Sequence, residues 1–168
     1  SFHAWRNRGR EDKREFVCVS QGYHGETLGA LAVTDVAVFR DTYDPLLMRA
    51  HRVMSPDARQ ALVGESAADV AERALQAVRV LFEARHAHIA AFIVEPLVQC
   101  AAGMAMHDAH YLRGLRALCD QYAVHLIADE IAVGCGRTGS FFAFEQAAQP
   151  GCPPLWPDFV CLSKGISG

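Results

Sequence analysis

The stretch His125-Leu126-Ile127-Ala128-Asp129-Glu130 decides the fold. A strand with one wet face alternates polar and apolar side chains, whereas a strand covered on both faces reads as a continuous apolar run. Here the apolar run Leu126–Ala128 stops at two adjacent carboxylates, which predicts a parallel-sheet strand with its acids at the carboxyl end. Three more runs have the same form: Phe16–Ser20 (FVCVS), Ala91–Glu95 (AFIVE) and Phe159–Ser163 (FVCLS). All four are expected to be buried on both faces.

Helical patterns lie between them. Ser66–Arg85 opens with a Ser N-cap and repeats Val70, Ala74, Ala77, Val78 and Leu81 at helical spacing. Asp108–Tyr122 begins with an Asp cap and lines up Leu112, Leu115, Leu118 and Cys119 on one face. A shorter helix is predicted over Leu28–Val33, and Asp35–Gly64 reads as an excursion with little regular structure. Gln149–Asp158, with its four prolines, reads as a rigid surface loop. Strand–helix alternation of this kind predicts an α/β fold, a mostly parallel sheet flanked by helices in the doubly wound manner. Ligands of such sheets sit beyond the carboxyl ends of the strands. That rule selects Ser20–Glu26, Glu95–Gly103, Asp129–Gly139 and Ser163–Gly168.

The 168 residues suffice for one sizeable core. With 51% hydrophobic and 21% charged residues and a net charge of −3, the chain is a globular one with no pull toward nucleic acid or an anionic membrane. No apolar stretch approaches a membrane span. The six cysteines include no C-x-x-C pair and read as reduced thiols packed like small hydrophobes, so no metal site is expected. His86, His88, His107 and His110 are expected to be solvated or to cap helices.

Chemistry gathers at the four strand ends. A buried carboxylate such as Asp129 needs a cation or donors, although an N-cap or an arginine partner would satisfy the Asp129-Glu130 dipeptide equally. Gly134-Cys135-Gly136-Arg137-Thr138-Gly139 makes a tight turn but fits neither common nucleotide-binding glycine pattern. Lys164, between small residues after the last strand, suits a nucleophile or Schiff-base lysine as well as a structural one. A strand-end Asp with a strand-end Lys matches what a pyridinium aldehyde requires. Gly22-Tyr23-His24-Gly25 can lay a flat side chain over a flat ligand.

Taken in order, GYHGETLGAL (22–31), IVEPLVQ (93–99), DEIAVGCGRTG (129–139) and LSKGISG (162–168) resemble the class III aminotransferases of pyridoxal phosphate fold type I. The resemblance implies pyridoxal 5'-phosphate as cofactor, with Lys164 in Schiff-base linkage to it and then moving the substrate proton. It also implies Asp129 on the pyridine nitrogen, Ile131 on one face of the ring, and Tyr23 on the other face and against substrate. Glu95, His24 and Arg137 would surround this set, with Arg137 supporting the loop at the pocket mouth; a buried Glu95–Arg137 pair is the structural alternative. FHAWRNRGR (2–10) and EPLVQCAAGM (95–104) draw the resemblance toward the branch that aminates 8-amino-7-oxononanoate, with S-adenosylmethionine as donor, in biotin synthesis. An ω-amine or β-alanine:pyruvate branch, or an inert structural piece, are the alternatives.

Cys135 stands where relatives commonly have an aromatic, and Cys100 where many have Gly. Cys100-Ala101-Ala102 lacks the glutamate that ornithine- and 4-aminobutyrate-type relatives carry there. The resemblance makes residues 1–168 the central part of a cofactor-binding large domain. The phosphate-binding turn would lie upstream, and the small C-terminal domain with the substrate-carboxylate arginine downstream. It also implies a cytoplasmic homodimer.

Overall fold

In the computed structural model, which describes residues 1–151 and 154–166, the chain runs through α1 (Phe2–Asn7), β1 (Glu15–Val19), α2 (Leu28–Ala32), α3 (Ala37–Arg40) and β2 (His51–Val53). It continues through α4 (Ala67–Arg85), β3 (Ile89–Val94), β4 (Val98–Gln99), β5 (Ala105–Met106), α5 (Ala109–Gln121), β6 (His125–Asp129) and β7 (Phe159–Cys161). Five strands form one sheet in the order β2-β1-β3-β6-β7, and every neighbouring pair is parallel. The chain leaves β1 toward β2 and then crosses back to lay β3 on its other side. Strand order therefore reverses between β1 and β3, the place where a doubly wound sheet opens a crevice.

One face of the sheet buries Val17, Val19, Phe92, Val94 and Leu126 against α4 and α5. Helix α4 starts where its caps dictate: the Ser66 hydroxyl accepts from the Asp69 amide, and the Asp69 carboxylate accepts from the Ser66 amide at 2.8 Å. Its stripe of Val70, Ala74, Leu75, Val78 and Phe82 is buried. Phe82 meets Phe92 and Tyr122 edge-on, and emptying such a site costs roughly 3–5 kcal/mol. The two helices touch at Gly114, where a Cβ would stand 2.2 Å from Leu75 Cδ1.

On the other face α1 lays Trp5 over His125, ring centroids 4.2 Å apart, and the indole donates to the Ala90 carbonyl at 2.8 Å. Beneath it Lys13 is fully buried, donating to the carbonyls of His86 (2.8 Å) and Ile89 (3.0 Å), with its ammonium 4.7 Å from the Trp5 ring centre. Burial pushes the Lys13 pKa down to about 8, helped by Arg10. At the same end Glu15 binds Arg85 and accepts from His51 Nε2 at 2.7 Å, tying α4 and β2 to β1.

Three expectations need correction. The excursion 35–64 contains the edge strand β2, which three residues and a single neighbour hold in place. Strand β7 is not buried on both faces: Phe159 and Val160 remain partly exposed at the opposite edge. Only three of the five residues in its run are paired, and Lys164 begins a short 3₁₀ turn (Lys164–Ile166) instead of ending a strand. Of the Pro-rich loop, Cys152 and Pro153 lie outside the described residues, as do Ser167 and Gly168. The five described cysteines are free, with Cys18 and Cys119 buried.

Candidate active site

The turn after β1 enters the crevice. Gly22 lets it do so, since a Cβ there would stand 3.1 Å from the Val19 carbonyl and 3.3 Å from His24 Nε2. The Thr34 hydroxyl accepts from the His24 amide at 3.0 Å and fixes the turn against α2. The His24 ring is thereby held at Asp129, with Nδ1 2.7 Å from Oδ2 and both side chains buried. A carboxylate only accepts, so Nδ1 is the donor. His24 Nε2 is then left buried with no hydrogen-bond partner among the described residues. The second Asp129 oxygen accepts from the Ile131 amide at 3.1 Å.

The neighbouring acid has a different task. Glu130 accepts from the amides of Ala143 and Phe144, each at 2.9 Å, and so pins the start of a 3₁₀ turn (Ala143–Ala147) to the end of β6. Burial raises its pKa despite those two donors. Gly134 packs so tightly on Glu130 that a Cβ would lie 2.8 Å from its carbonyl oxygen. The loop between the two anchors is a fixed wall.

Glu95, at the end of β3, accepts from the Tyr23 amide (3.3 Å) and the Cys100 amide (3.1 Å), and burial raises its pKa. It does not pair with Arg137, so the structural alternative of a Glu95–Arg137 bridge is not formed. Arg137 is exposed on the glycine turn and makes no ion pair among the described residues. His107, expected at the surface or in a cap, is instead buried: its ring nitrogens lie 3.2 Å from the Glu95 carbonyl and 3.3 Å from the Asp108 carbonyl. Burial holds its pKa below the usual histidine range.

These anchors enclose an open cleft. Ile131, Cys135 and Arg137 line one side, Leu97, Cys100 and Met104 the other, and Lys164 reaches in from the turn after β7. Lys164 is exposed and holds a left-handed φ of 50°, unusual outside glycine and worth about 1–3 kcal/mol of strain. Gly165 passes so close to the opposite wall that a Cβ would stand 3.0 Å from Cys135 Cβ. The structure thus brings Lys164, Ile131 and Arg137 to one cleft. Asp129 and His24 do not line it; they are buried together at the end of β6, where Asp129 lies two residues before Ile131. The Tyr23 side chain lies elsewhere, donating to Glu26 at 3.0 Å with its ring tilted on Phe39. Among the described residues no cluster of three His, Cys, Asp or Glu side chains could hold a metal, and no helix is long and apolar enough to cross a membrane.

The family model for aminotransferase class-III matches residues 1–168. The chain belongs to the class-III aminotransferases. It is 44% identical over its whole length to the adenosylmethionine-8-amino-7-oxononanoate aminotransferase of Helicobacter pylori, of which it covers 35%. It is 38% identical to the enzyme of that name from Anoxybacillus flavithermus, with 36% covered, and 36% identical to an acetylornithine aminotransferase of Methanopyrus kandleri, over 92% of this chain and 33% of that one. Among solved structures, the ω-transaminase of Pseudomonas jessenii in complex with PMP superposes with a TM-score of 0.85 at 28% identity, over 99% of this chain and 36% of that one. The chain therefore spans about a third of the length of the relatives it matches.

Missing from the sequence reading is the support of the cleft. Asp57, Arg59 and Ser55 come from the segment after β2, and no local pattern marks them. Gln99 closes a motif already singled out, but its burial, and hence its bracing role, appears only in the fold.

Proposed function

We propose that the full-length protein is a pyridoxal 5'-phosphate-dependent transaminase that aminates 8-amino-7-oxononanoate with S-adenosylmethionine as donor, as in biotin synthesis. The observation that carries the chemistry is the buried pair of His24 with Asp129, two residues from Ile131, which lines a cleft wall that Lys164 shares. These residues fit the cofactor: a carboxylate for the ring nitrogen, a branched side chain (Ile131) for a ring face and a lysine for the aldehyde. Bound there, the cofactor supplies a pyridinium that accepts the electron pair left when a substrate Cα proton is removed.

Asp129 keeps negative charge beside the ring nitrogen, and His24 holds that carboxylate in one orientation by donating to Oδ2. Lys164, which lines the cleft on a flexible stem, would hold and move the substrate Cα proton at its Nζ. Ile131 excludes water from its side of the ring, and Tyr23, whose ring rests against Phe39 outside the cleft, would have to turn inward to cover the other side and meet substrate. Glu95 fixes the Tyr23 and Cys100 amides, and Arg137 offers its guanidinium at the mouth. In this reading residues 1–168 are the ring-binding part of a larger cofactor domain, and the whole protein is a cytoplasmic homodimer.

The substrates rest on the names of relatives 44% and 38% identical and on Cys100-Ala101-Ala102, which has no glutamate for an ornithine-type substrate. Likeness to ω-transaminases favours a second reading, an ω-amine or β-alanine:pyruvate enzyme with the same lysine and aspartate. The absorbance of the cofactor-loaded full-length protein separates them. A visible band that fades with S-adenosylmethionine, and fails to form in Lys164→Ala, supports the first reading. Fading only with alanine or an ω-amine moves the protein to the second. A wild type that forms no band at all rules out both.

A further inference from the structure

The β4–β5 hairpin is too small to hold its own shape. Only two residues pair on each strand, and an isolated two-stranded ribbon is marginal in water. Two of its neighbouring non-glycine residues, Leu97 and Met104, also hold left-handed backbone at φ 64° and 56°. Such conformations persist only where the surroundings enforce them.

The enforcement comes from the segment after β2. Gln99 is buried and donates from its side chain to the Ser20 carbonyl at 2.9 Å, while its oxygen accepts from Ser55. Asp57, also buried, grips the Arg59 guanidinium through Nε at 2.9 and 3.0 Å and Nη2 at 2.8 Å. Arg59, so oriented, donates to the hairpin's outermost carbonyls, Ala102 at 2.9 Å and Gly103 at 3.4 Å. A planar guanidinium held from one side presents its remaining donors in a fixed fork, which a lysine does not reproduce. The hairpin is clamped at its tip and at its base.

What the clamp displays is apolar. Met104 and Met106 both line the cleft and are 61% and 63% exposed, beside Leu97 and Val98. Two adaptable thioether side chains on a rigid hairpin make a surface that fits a flexible aliphatic chain of variable conformation. Resting on the reading of the Lys164 cleft as the transamination site, we infer that Met104 and Met106 form the wall along which the methylene chain of the amino-group acceptor lies. Arg59 acts through them as a positioning residue that sets where the wall stands.

The test uses the cofactor-loaded full-length protein and a homologous series of straight-chain oxo acids, each longer by one methylene. If the wall takes the chain, each methylene raises wild-type kcat/KM by about fourfold until the wall is filled. Met104→Gln/Met106→Gln lowers that increment to about twofold or less, through KM; Met104→Leu/Met106→Leu restores it. Arg59→Gln flattens the series in the same way while its cofactor band and melting temperature stay those of wild type. If Arg59→Gln fails to fold, Arg59→Lys takes its place. An undiminished increment in the double Gln variant overturns the wall. A flattened series there with a normal one in the Arg59 variant overturns the clamp. A wild type with neither cofactor band nor turnover removes the underlying site reading instead.

Discussion

Lys13 at one end of the sheet and His24 at the other are both buried, and the two ends treat their charged and polar groups in opposite ways. At the amino-terminal end Lys13 spends its ammonium on two carbonyls and a ring, and Glu15 on Arg85 and His51. At the carboxyl end His24 keeps a buried nitrogen without a partner, and Arg137 has no carboxylate among the described residues. Backbone strain divides the same way. Among the described non-glycine residues with left-handed φ, Gln21, Cys135 and Lys164 follow β1, β6 and β7, Leu97 and Met104 flank β4 and β5 beyond the carboxyl end of β3, and Ala123 precedes β6. A satisfied group stabilises; an unsatisfied one held in place can bind or react. The contrast separates the end that holds the fold from the end available for chemistry.

The sharpest way to break this contrast is to exchange the effects. Asp129→Asn should lower turnover of the full-length enzyme by a factor on the order of 10²–10³ while leaving its melting temperature nearly unchanged. Steady-state kinetics beside calorimetry would show it; equal loss of stability would mean that Asp129 belongs with the structural acids. At the other end, Lys13 should appear as a pH effect without a kinetic one. Its folded pKa of about 8 lies below the ordinary 10.5, so the unfolded chain binds more protons between those values and stability rises with pH across that window. Denaturation of wild type against Lys13→Met should show wild type gaining up to roughly 3 kcal/mol relative to the variant from pH 8 to 10.5. Taking the difference cancels the opposing contribution of buried thiols such as Cys18, whose pKa burial pushes up to about 12.

Smaller effects refine the picture. Gly114→Ala should cost about 1–3 kcal/mol, because its Cβ meets Leu75 across the α4–α5 contact, and urea unfolding should register it with kcat unchanged. Glu15→Gln should cost about 0.5–1 kcal/mol at neutral pH, a partly exposed pair being screened by solvent. Against burial, which raises it, the hydrogen bonds from His51 and Arg85 hold the Glu15 carboxyl below the ordinary range, so its contribution is present above the unfolded pKa and lost as pH falls through the folded one. The difference between wild type and Glu15→Gln should therefore vanish in acid.

How much of this was readable depended on where the determining contacts lie. Strands β1, β3 and β6 are buried runs, so composition alone marked them to within two residues. Helices α4 and α5 carry caps and stripes in their own sequence, and both start at the predicted caps. The edge strand β2 and the β4–β5 hairpin have no such mark, because pairing across the sheet and the Arg59 clamp make them regular. At the site, the strand-end rule found Asp129, Lys164 and His24 from residue type and place. It could not divide labour between Asp129 and Glu130, since only the fold reveals that one faces His24 and the other two backbone amides. Nor could it place the Tyr23 ring against Phe39, a contact made across the unpatterned excursion.

The reversal of strand order between β1 and β3 also bears on how the chain comes into being. Strand β1 is made before its partner β3, which lies more than seventy residues further on. Until α4 has formed and carried β3 back, Phe16-Val17-Cys18-Val19 can pair along the β2 edge alone and keeps its other edge open. Parallel pairings this distant are slow to close, and open apolar edges of this kind favour association with other chains. The topology that opens the crevice therefore leaves the centre of the sheet half-paired for a long stretch of synthesis.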